Sequence, residues 1–292
     1  PPPKWDDAIA GVAAGGVSRI LTAPFDMAKI RYQLDHGREG WKYKNHGLLK
    51  ILSSIYSEEG MVSLWRGNMP AMALWMSYSG AQFGVYGQLK RLLGKEENWS
   101  HPHAFKFACG SVAGAAATFV TYPFDVARTA LAYQGIPKRY SNFGDFASKT
   151  FRKAGIRGFF AGLSPALLQI APQMGFSFTI YEWVTSLLIE VVTVRPIIDA
   201  WPVLAGVVAG TCSKLLVYPF DTVKKRVQVQ VMHRRSMLYG PTPLYGGPLH
   251  ALAAIYTQEG VMALFKGIVP AMYKSGISTA LTFGVYEVAL SV

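Results

Sequence analysis

A short motif occurs three times in this chain, and its recurrence constrains the fold more than any other feature. Ala23-Pro24-Phe25-Asp26-Met27-Ala28-Lys29 returns as Tyr122-Pro123-Phe124-Asp125-Val126-Ala127-Arg128 and as Tyr218-Pro219-Phe220-Asp221-Thr222-Val223-Lys224. A second marker follows each copy: Glu59-Gly60 to Trp65-Arg66-Gly67, Ala154-Gly155 to Phe160-Ala161-Gly162, and Glu259-Gly260 to Phe265-Lys266-Gly267. Its glycines are seven apart each time, and a proline (Pro70, Pro165, Pro270) sits three further on. A third marker, Tyr43, Tyr140 and Tyr245, precedes them. Three markers in one order, three times, define a tandem repeat. The 292 residues are therefore expected to form one domain of units 1–98, 99–195 and 196–292.

Each unit contains two apolar stretches. Gly67 to Leu89 and Gly158 to Tyr181 hold no charged residue, and Phe107 to Phe124 is a shorter run of the same kind. Ala8 to Phe25, Ala200 to Phe220 and Gly267 to Tyr286 would match them but for one cation each, Arg19, Lys214 and Lys274. About 20 residues of helix cross a hydrocarbon core, so six spanning helices are expected. A cation at mid-membrane is expensive and normally faces a wet cavity or a partner. Only 16% of residues are charged, against about 25% in soluble domains, while mean hydropathy is a modest +0.21. A bundle around a polar cavity reconciles the two values.

Between the paired helices lie basic loops and short amphipathic segments, roughly His46 to Ser57, Asn142 to Lys153 and Pro248 to Thr257. They are too short to span and should lie along the interface. The loops carry Arg38, Lys42, Lys44, Lys50, Lys138, Arg139, Lys149, Arg152, Lys153, Arg157, Arg234 and Arg235, a large share of a net charge of +12. By the positive-inside rule they mark the interior-equivalent side, and an even helix count puts both termini opposite. The chain begins Pro1-Pro2-Pro3 without Met, so residues are expected to precede it. Small-residue pairs, Gly11/Gly15, Gly110/Gly114 and Gly206/Gly210, suit close helix packing.

Enzyme chemistry has no foothold. Cys109 and Cys212 lie in apolar stretches and read as small buried thiols. The close-spaced pair His101-Pro102-His103 reads as loop, so no metal site and no cofactor is expected. No phosphate-binding loop, nucleophile elbow or dinucleotide fingerprint is present. The cations are spread over three repeated loops without clustered aromatics, which excludes a nucleic-acid groove.

The motif itself suggests a device. Pro24, Pro123 and Pro219 each remove a helical hydrogen bond and kink their helix, bending three helix ends toward one axis. Asp26, Asp125 and Asp221 can then each reach Lys29, Arg128 or Lys224 from a neighbouring unit, closing that end with a ring of ion pairs. Desolvation opposes such pairs and loss of one partner is severe, which makes the ring a breakable gate.

On these residues the chain resembles the mitochondrial carrier family across essentially its whole length. That family's signature, Pro-x-Asp/Glu-x-x-Lys/Arg-x-Lys/Arg, is matched by Pro24/Asp26/Lys29/Arg31 and Pro219/Asp221/Lys224/Arg226. The second unit departs at Ala130, where a peripheral contact is expected to weaken. The resemblance implies an all-α membrane protein with six transmembrane helices and three short matrix helices in three pseudo-symmetric repeats, working by alternating access in the inner membrane with both termini in the intermembrane space. It implies a matrix gate pairing Lys29 with Asp125, Arg128 with Asp221 and Lys224 with Asp26. It also implies a cytoplasmic gate at Lys90, Glu182 and Glu287, weak because only Lys90 and Glu182 can pair, so the matrix-closed state should dominate. Backbone N–H groups at Gly67, Gly162 and Gly267, with the helix starts after Tyr43, Tyr140 and Tyr245, are the expected sites for cardiolipin. A monomer is expected.

Arg19, Thr118 and Lys214 each lie five residues before a motif proline, at one depth of the cavity. The resemblance places further substrate contacts at Leu74 and Trp75, at Gln169 and Ile170, and at Lys274 and Ser275. Three cations and no acid at that level point to a phosphate-bearing anion. Trp75, Tyr78, Tyr273 and Phe176 can stack on a heteroaromatic ring. Local stretches such as Gln134-Gly135-Ile136-Pro137-Lys138-Arg139-Tyr140 are similar to the family's thiamine pyrophosphate branch, implying the diphosphate on Arg19, Lys214 and Lys274 and the rings on Gln82, Gln169 and Gln173. Exchange for a nucleotide or phosphorylated thiamine is then expected. Carriers of coenzyme A or adenine nucleotides, and a proton conductor on the same fold, are the open alternatives.

Overall fold

The computed structural model describes residues 5–34, 47–94, 102–191, 201–232, 235–236, 240–241 and 244–291. Pro1–Pro3, His36, Arg38, Lys42, Tyr43, Lys44, His46, His101, His233 and Arg234 lie outside the described residues, as do the side chains of His103, Arg235 and Glu287.

Six long helices carry the chain: α1 (Trp5–Gln33), α3 (Asn68–Leu93), α4 (Pro102–Tyr133), α6 (Leu163–Val191), α7 (Trp201–Met232) and α9 (Ile268–Ser291). A short helix of 12 residues lies within each pair: α2 (Leu48–Glu59), α5 (Phe143–Ala154) and α8 (Pro248–Glu259). The long helices run 24 to 32 residues, about 36–48 Å at 1.5 Å per residue, ample for a hydrocarbon core of about 30 Å. Among the described residues one single helix, over Phe107–Tyr133, is apolar enough to qualify as a span by hydropathy. Phe143–Ala154 and Ile156–Leu187 pass the same test when taken together as a pair bent by 114°. Pro102 opens α4, so His103 belongs to its first turn and not to a loop.

The most extensive contacts between long helices join different repeats. α3 packs along α4, α6 along α7, and α9 returns to α1, which closes the ring. The Ser18 hydroxyl donates to the Ser278 carbonyl at 3.1 Å across that last seam. The expectation that small-residue pairs pack closely holds only in part. A Cβ on Gly15 would meet the Trp75 indole at 2.5 Å, and one on Gly114 would lie 3.5 Å from Ile170, but Gly110, Gly206 and Gly210 face open space. Gly206 and Gly210 instead line a cavity of about 660 Å³ between α7 and α9.

The short helices sit beneath the converging ends, each over a small core. Ile51 and Ile55 of α2 bury against Met27, Ile30 and Leu34; Phe146 of α5 against Tyr122, Val126 and Tyr140; Ala251 and Ile255 of α8 against Val223 and Tyr245. Each buried Ile or Phe contributes roughly 1.5–3 kcal/mol. That burial fastens each linker to the end of the motif-bearing helix of its own repeat, α1, α4 or α7.

The motif prolines lie inside α1, α4 and α7 without ending them. A proline at position 24 leaves the carbonyl of residue 20 without its helical donor. In the first repeat the Trp65 indole N–H supplies it, donating to the Ile20 carbonyl at 2.9 Å. The equivalent residues of the other repeats, Phe160 and Phe265, stack on aromatic rings: Phe160 on Phe119 at 5.1 Å, Phe265 on Tyr218 at 6.3 Å.

Candidate functional site

Three ion pairs close the loop-bearing end. Arg128 meets Asp26 at 2.6 Å, Lys224 meets Asp125 at 2.8 Å, and Lys29 meets Asp221 at 2.6 Å. The residues are those expected, but the sense of pairing is reversed: each carboxylate takes the cation of the next repeat, not the preceding one. A threefold repeat is compatible with either sense. The choice is made by packing, because Gly67 of the first repeat docks against the backbone of Arg128, Gly162 against Lys224 and Gly267 against Lys29. A Cβ on Gly67 would lie 2.8 Å from the Arg128 carbonyl oxygen. The docked linker thus presents the next repeat's cation to its own repeat's aspartate.

Two further cations enter the ring, and neither role was legible from the motif. Lys225 reaches the second oxygen of Asp125 at 3.0 Å and the Thr129 hydroxyl at 2.8 Å. Lys274, an expected substrate contact at a level read as free of acids, binds Asp26 at 2.8 Å. α9 lies alongside α1, which brings the lysine down onto the carboxylate. Two glutamines lock the ring from below. Gln33 donates to Asp221 at 3.1 Å and to the Tyr218 hydroxyl at 3.2 Å, and Gln228 donates to Asp125 at 2.8 Å and to the Tyr122 hydroxyl at 3.2 Å. Both lie four residues after a motif lysine, one turn on along the same face. That spacing was the available signal; the middle repeat has Ala132 there.

A second tier lies below. Fully buried Arg31 pairs with both oxygens of Glu59 and donates to the Ala132 and Gln134 carbonyls at the end of α4. Arg226 pairs with Glu259 in the same way and donates to the Gln33 carbonyl at the end of α1. Arg66 and Lys266 complete the two triads. A buried guanidinium on a helix C-terminus satisfies orphan carbonyls and the helix dipole together. The contact is therefore central, not peripheral. In the middle repeat all three positions are alanine, at Ala130, Ala154 and Ala161. Outside the spans, Glu259 feels burial first, which would raise its pKa, yet the hydrogen bonds and charges of Arg226 and Lys266 outweigh it and hold the carboxyl below the usual range.

Above the ring, a cavity of about 240 Å³ gathers Arg19, Leu74, Trp75, Tyr78 and Thr118 over Asp125 and Lys224. These are five of the expected substrate contacts. Arg19 Nε is buried there without a hydrogen-bond partner. Lys214 and Ser275 line the larger space between α7 and α9. Gln82, Gln169, Ile170 and Gln173 are half-buried on α3 and α6 and line neither cavity. Tyr273 and Phe176 are exposed. At the opposite end, Lys90 and Glu182 sit toward the ends of α3 and α6, with Lys90 over the Tyr86 ring at 5.1 Å. The floor of the bundle thus holds three carboxylates among five cations, with Arg19 and Lys214 in reach of an incoming anion.

The family profile of the mitochondrial carrier protein matches residues 1–97, 100–192 and 200–292. A relative from Phaeosphaeria nodorum, mitochondrial thiamine pyrophosphate carrier 1, is 36% identical over 97% of this chain and 91% of its own length. Mitochondrial thiamine diphosphate carrier 2 of Zea mays is 35% identical over 96% and 92%. The mitochondrial thiamine pyrophosphate carrier of Homo sapiens is 33% identical over 97% and 91%.

Proposed function

The chain belongs to the mitochondrial carrier family, a transporter and not an enzyme, and we propose that it carries thiamine pyrophosphate across the mitochondrial inner membrane by alternating access, in exchange for a nucleotide or phosphorylated thiamine. The observation that carries this reading is Arg19: a guanidinium edge buried and unpartnered in a cavity just above a closed ion ring. A buried donor left unsatisfied costs roughly 1–3 kcal/mol, and a diphosphate relieves that cost with charge-assisted bonds. Relatives whose names specify thiamine pyrophosphate or diphosphate support the cargo.

The diphosphate is taken by Arg19, Lys214 and Lys274. Lys274 must leave Asp26 to reach it, so binding strips the first carboxylate of one of its two cations. Loading thus loosens the ring where it is most shared. The aminopyrimidine and thiazolium rings lie toward Trp75, Tyr78, Gln82, Gln169 and Gln173. The ring faces the matrix, both termini face the intermembrane space, cardiolipin phosphates sit at the N-termini of α3, α6 and α9, and the working unit is the monomer.

Proteoliposomes loaded with thiamine pyrophosphate test the reading against ADP, coenzyme A and an oxo-acid. The expected result is uptake of external thiamine pyrophosphate that requires an internal counter-substrate. Failure of thiamine pyrophosphate both to exchange and to stabilise the purified protein against heat overturns the cargo. Exchange of ADP or coenzyme A alone reassigns it, and proton flux without counter-substrate makes the protein a conductor.

A further inference from the structure

The middle repeat departs from its siblings on its short helix as well as in its missing triad, and the departures lie together. Where α2 has Ser54, Ile55, Ser57, Glu58 and Glu59, and α8 has Ala254, Ile255, Thr257, Gln258 and Glu259, α5 has Lys149, Thr150, Arg152, Lys153 and Ala154. Glu58 becomes Lys153 and the shared Glu59/Glu259 becomes Ala154, while Lys149 and Arg152 stand where the siblings have Ser or Ala and Ser or Thr. These α5 residues, with Arg139, line a cavity of about 480 Å³ on the loop-bearing face.

The lining is chemically one-sided. Lys149 pairs with Asp145 at 2.8 Å and donates to the Arg139 carbonyl at 2.8 Å, so it ties the loop to the helix. Asp145 is held below the usual carboxylate range by hydrogen bonds from Lys149 and from the Ser141 amide. It therefore stays ionised and offsets the charge of Lys149. Arg139 and Arg152 are exposed on the rim, and Arg139 stacks over Tyr140 at 5.7 Å, which fixes its guanidinium. Thr150 is 95% buried, and its hydroxyl has no hydrogen-bond partner. Its siblings Ile55 and Ile255 are apolar and fully buried, so packing alone would be served by isoleucine. An unpartnered hydroxyl in place of a core methyl, beside two guanidinium groups and with the neighbouring glutamate deleted, fits a polar anionic occupant.

We propose that this cavity is a second anion site, separate from the transport path, that binds a phosphate-bearing group between Arg139, Arg152 and Lys153 with the Thr150 hydroxyl beneath it. Two arginines and a lysine suit phosphate oxygens. The ligand is either a soluble polyphosphate or the phosphate of a lipid headgroup; the chemistry is shared. The proposal does not depend on the identity of the transported cargo.

The test uses the full-length protein in detergent with Arg19→Ala, which disables the central cavity. Inorganic pyrophosphate is titrated calorimetrically, and retained cardiolipin is counted by native mass spectrometry, for this background and with Arg152→Gln or Thr150→Ile added. Thr150→Ile restores the residue that both siblings carry and is expected to fold. At least a tenfold loss of pyrophosphate affinity in both variants supports a soluble ligand. Loss of retained cardiolipin in both, with no pyrophosphate bound by the background, supports a headgroup. If the variants match the background on both measures, or the background binds neither, the site does not exist.

Discussion

Lys274 and Arg128 hold the two oxygens of one carboxylate, Asp26, at 2.8 and 2.6 Å. Lys274 comes from α9 and Arg128 from the second repeat's motif, so Asp26 would join cargo recognition to closure if Lys274 binds the proposed cargo. Lys274→Ala is expected to reduce thiamine pyrophosphate exchange by at least about tenfold, equivalent to about 1.4 kcal/mol, while Arg128 keeps the ring shut. Thermal unfolding should move little. Initial exchange rates alongside a melting curve check this; unchanged exchange would remove Lys274 from the site.

The sense of the ring is open to a double-mutant cycle. Asp26→Asn and Arg128→Gln should couple by roughly 0.5–3 kcal/mol, the range for residues in contact. Asp26→Asn and Lys224→Gln should be additive within a few tenths, because Lys224 is engaged with Asp125. The cycle is read from unfolding midpoints in detergent, and equal coupling in both pairs would dissolve the distinction.

How much of this was legible follows from what repetition can and cannot encode. The recurrence of Pro24, Pro123 and Pro219 with their aspartates and cations marks α1, α4 and α7 and the ring members, because those residues recur at fixed spacing. The hand of the pairing was hidden, since a threefold pattern reads the same both ways until Gly67 is seen against Arg128. Lys225 was hidden because it breaks the repeat: Ile30 and Thr129 stand at its equivalents. Lys274 was found as a buried cation, but its partner lies 248 positions away on a helix that only ring closure makes a neighbour.

The packing role of the linker glycines is separable from the lipid binding proposed for them. Gly67 sits at φ 82° and ψ 5°, a left-handed conformation that costs another residue roughly 1–2 kcal/mol, and its Cβ would strike the Arg128 carbonyl at 2.8 Å. Gly67→Ala is thus expected to destabilise by at least about 2 kcal/mol even in cardiolipin-free detergent. Alanine keeps the backbone N–H, so a purely lipid-binding glycine would leave the lipid-free melting point unchanged.

The second tier predicts a non-additive rescue. Arg226→Ala strands Glu259 without its main partner and should cost about 3–5 kcal/mol, as breaking a buried pair does. Conversely, Ala130→Arg alone should destabilise the middle repeat, because position 130 is fully buried and no acid awaits there. Ala130→Arg with Ala154→Glu and Ala161→Lys should recover that loss by rebuilding the triad. Melting temperatures of the single, double and triple variants decide the point, and simple additivity would count against the triad acting as a unit.

Acid should reveal the same tier. Glu259 has its folded-state pKa depressed by Arg226 and Lys266 acting against burial, so the unfolded chain binds its proton more readily than the folded one. Its contribution is fully present above the ordinary glutamate pKa, and is lost as pH falls through that value and on to the lower folded one. The parent should therefore lose stability on acidification through this window more steeply than Glu259→Gln, which has no carboxylate to protonate. Unfolding midpoints recorded from neutral pH down to about 3 measure the difference. Parallel curves for the two proteins would mean that Glu259 titrates alike in the folded and unfolded states and that its pairing adds no net stability.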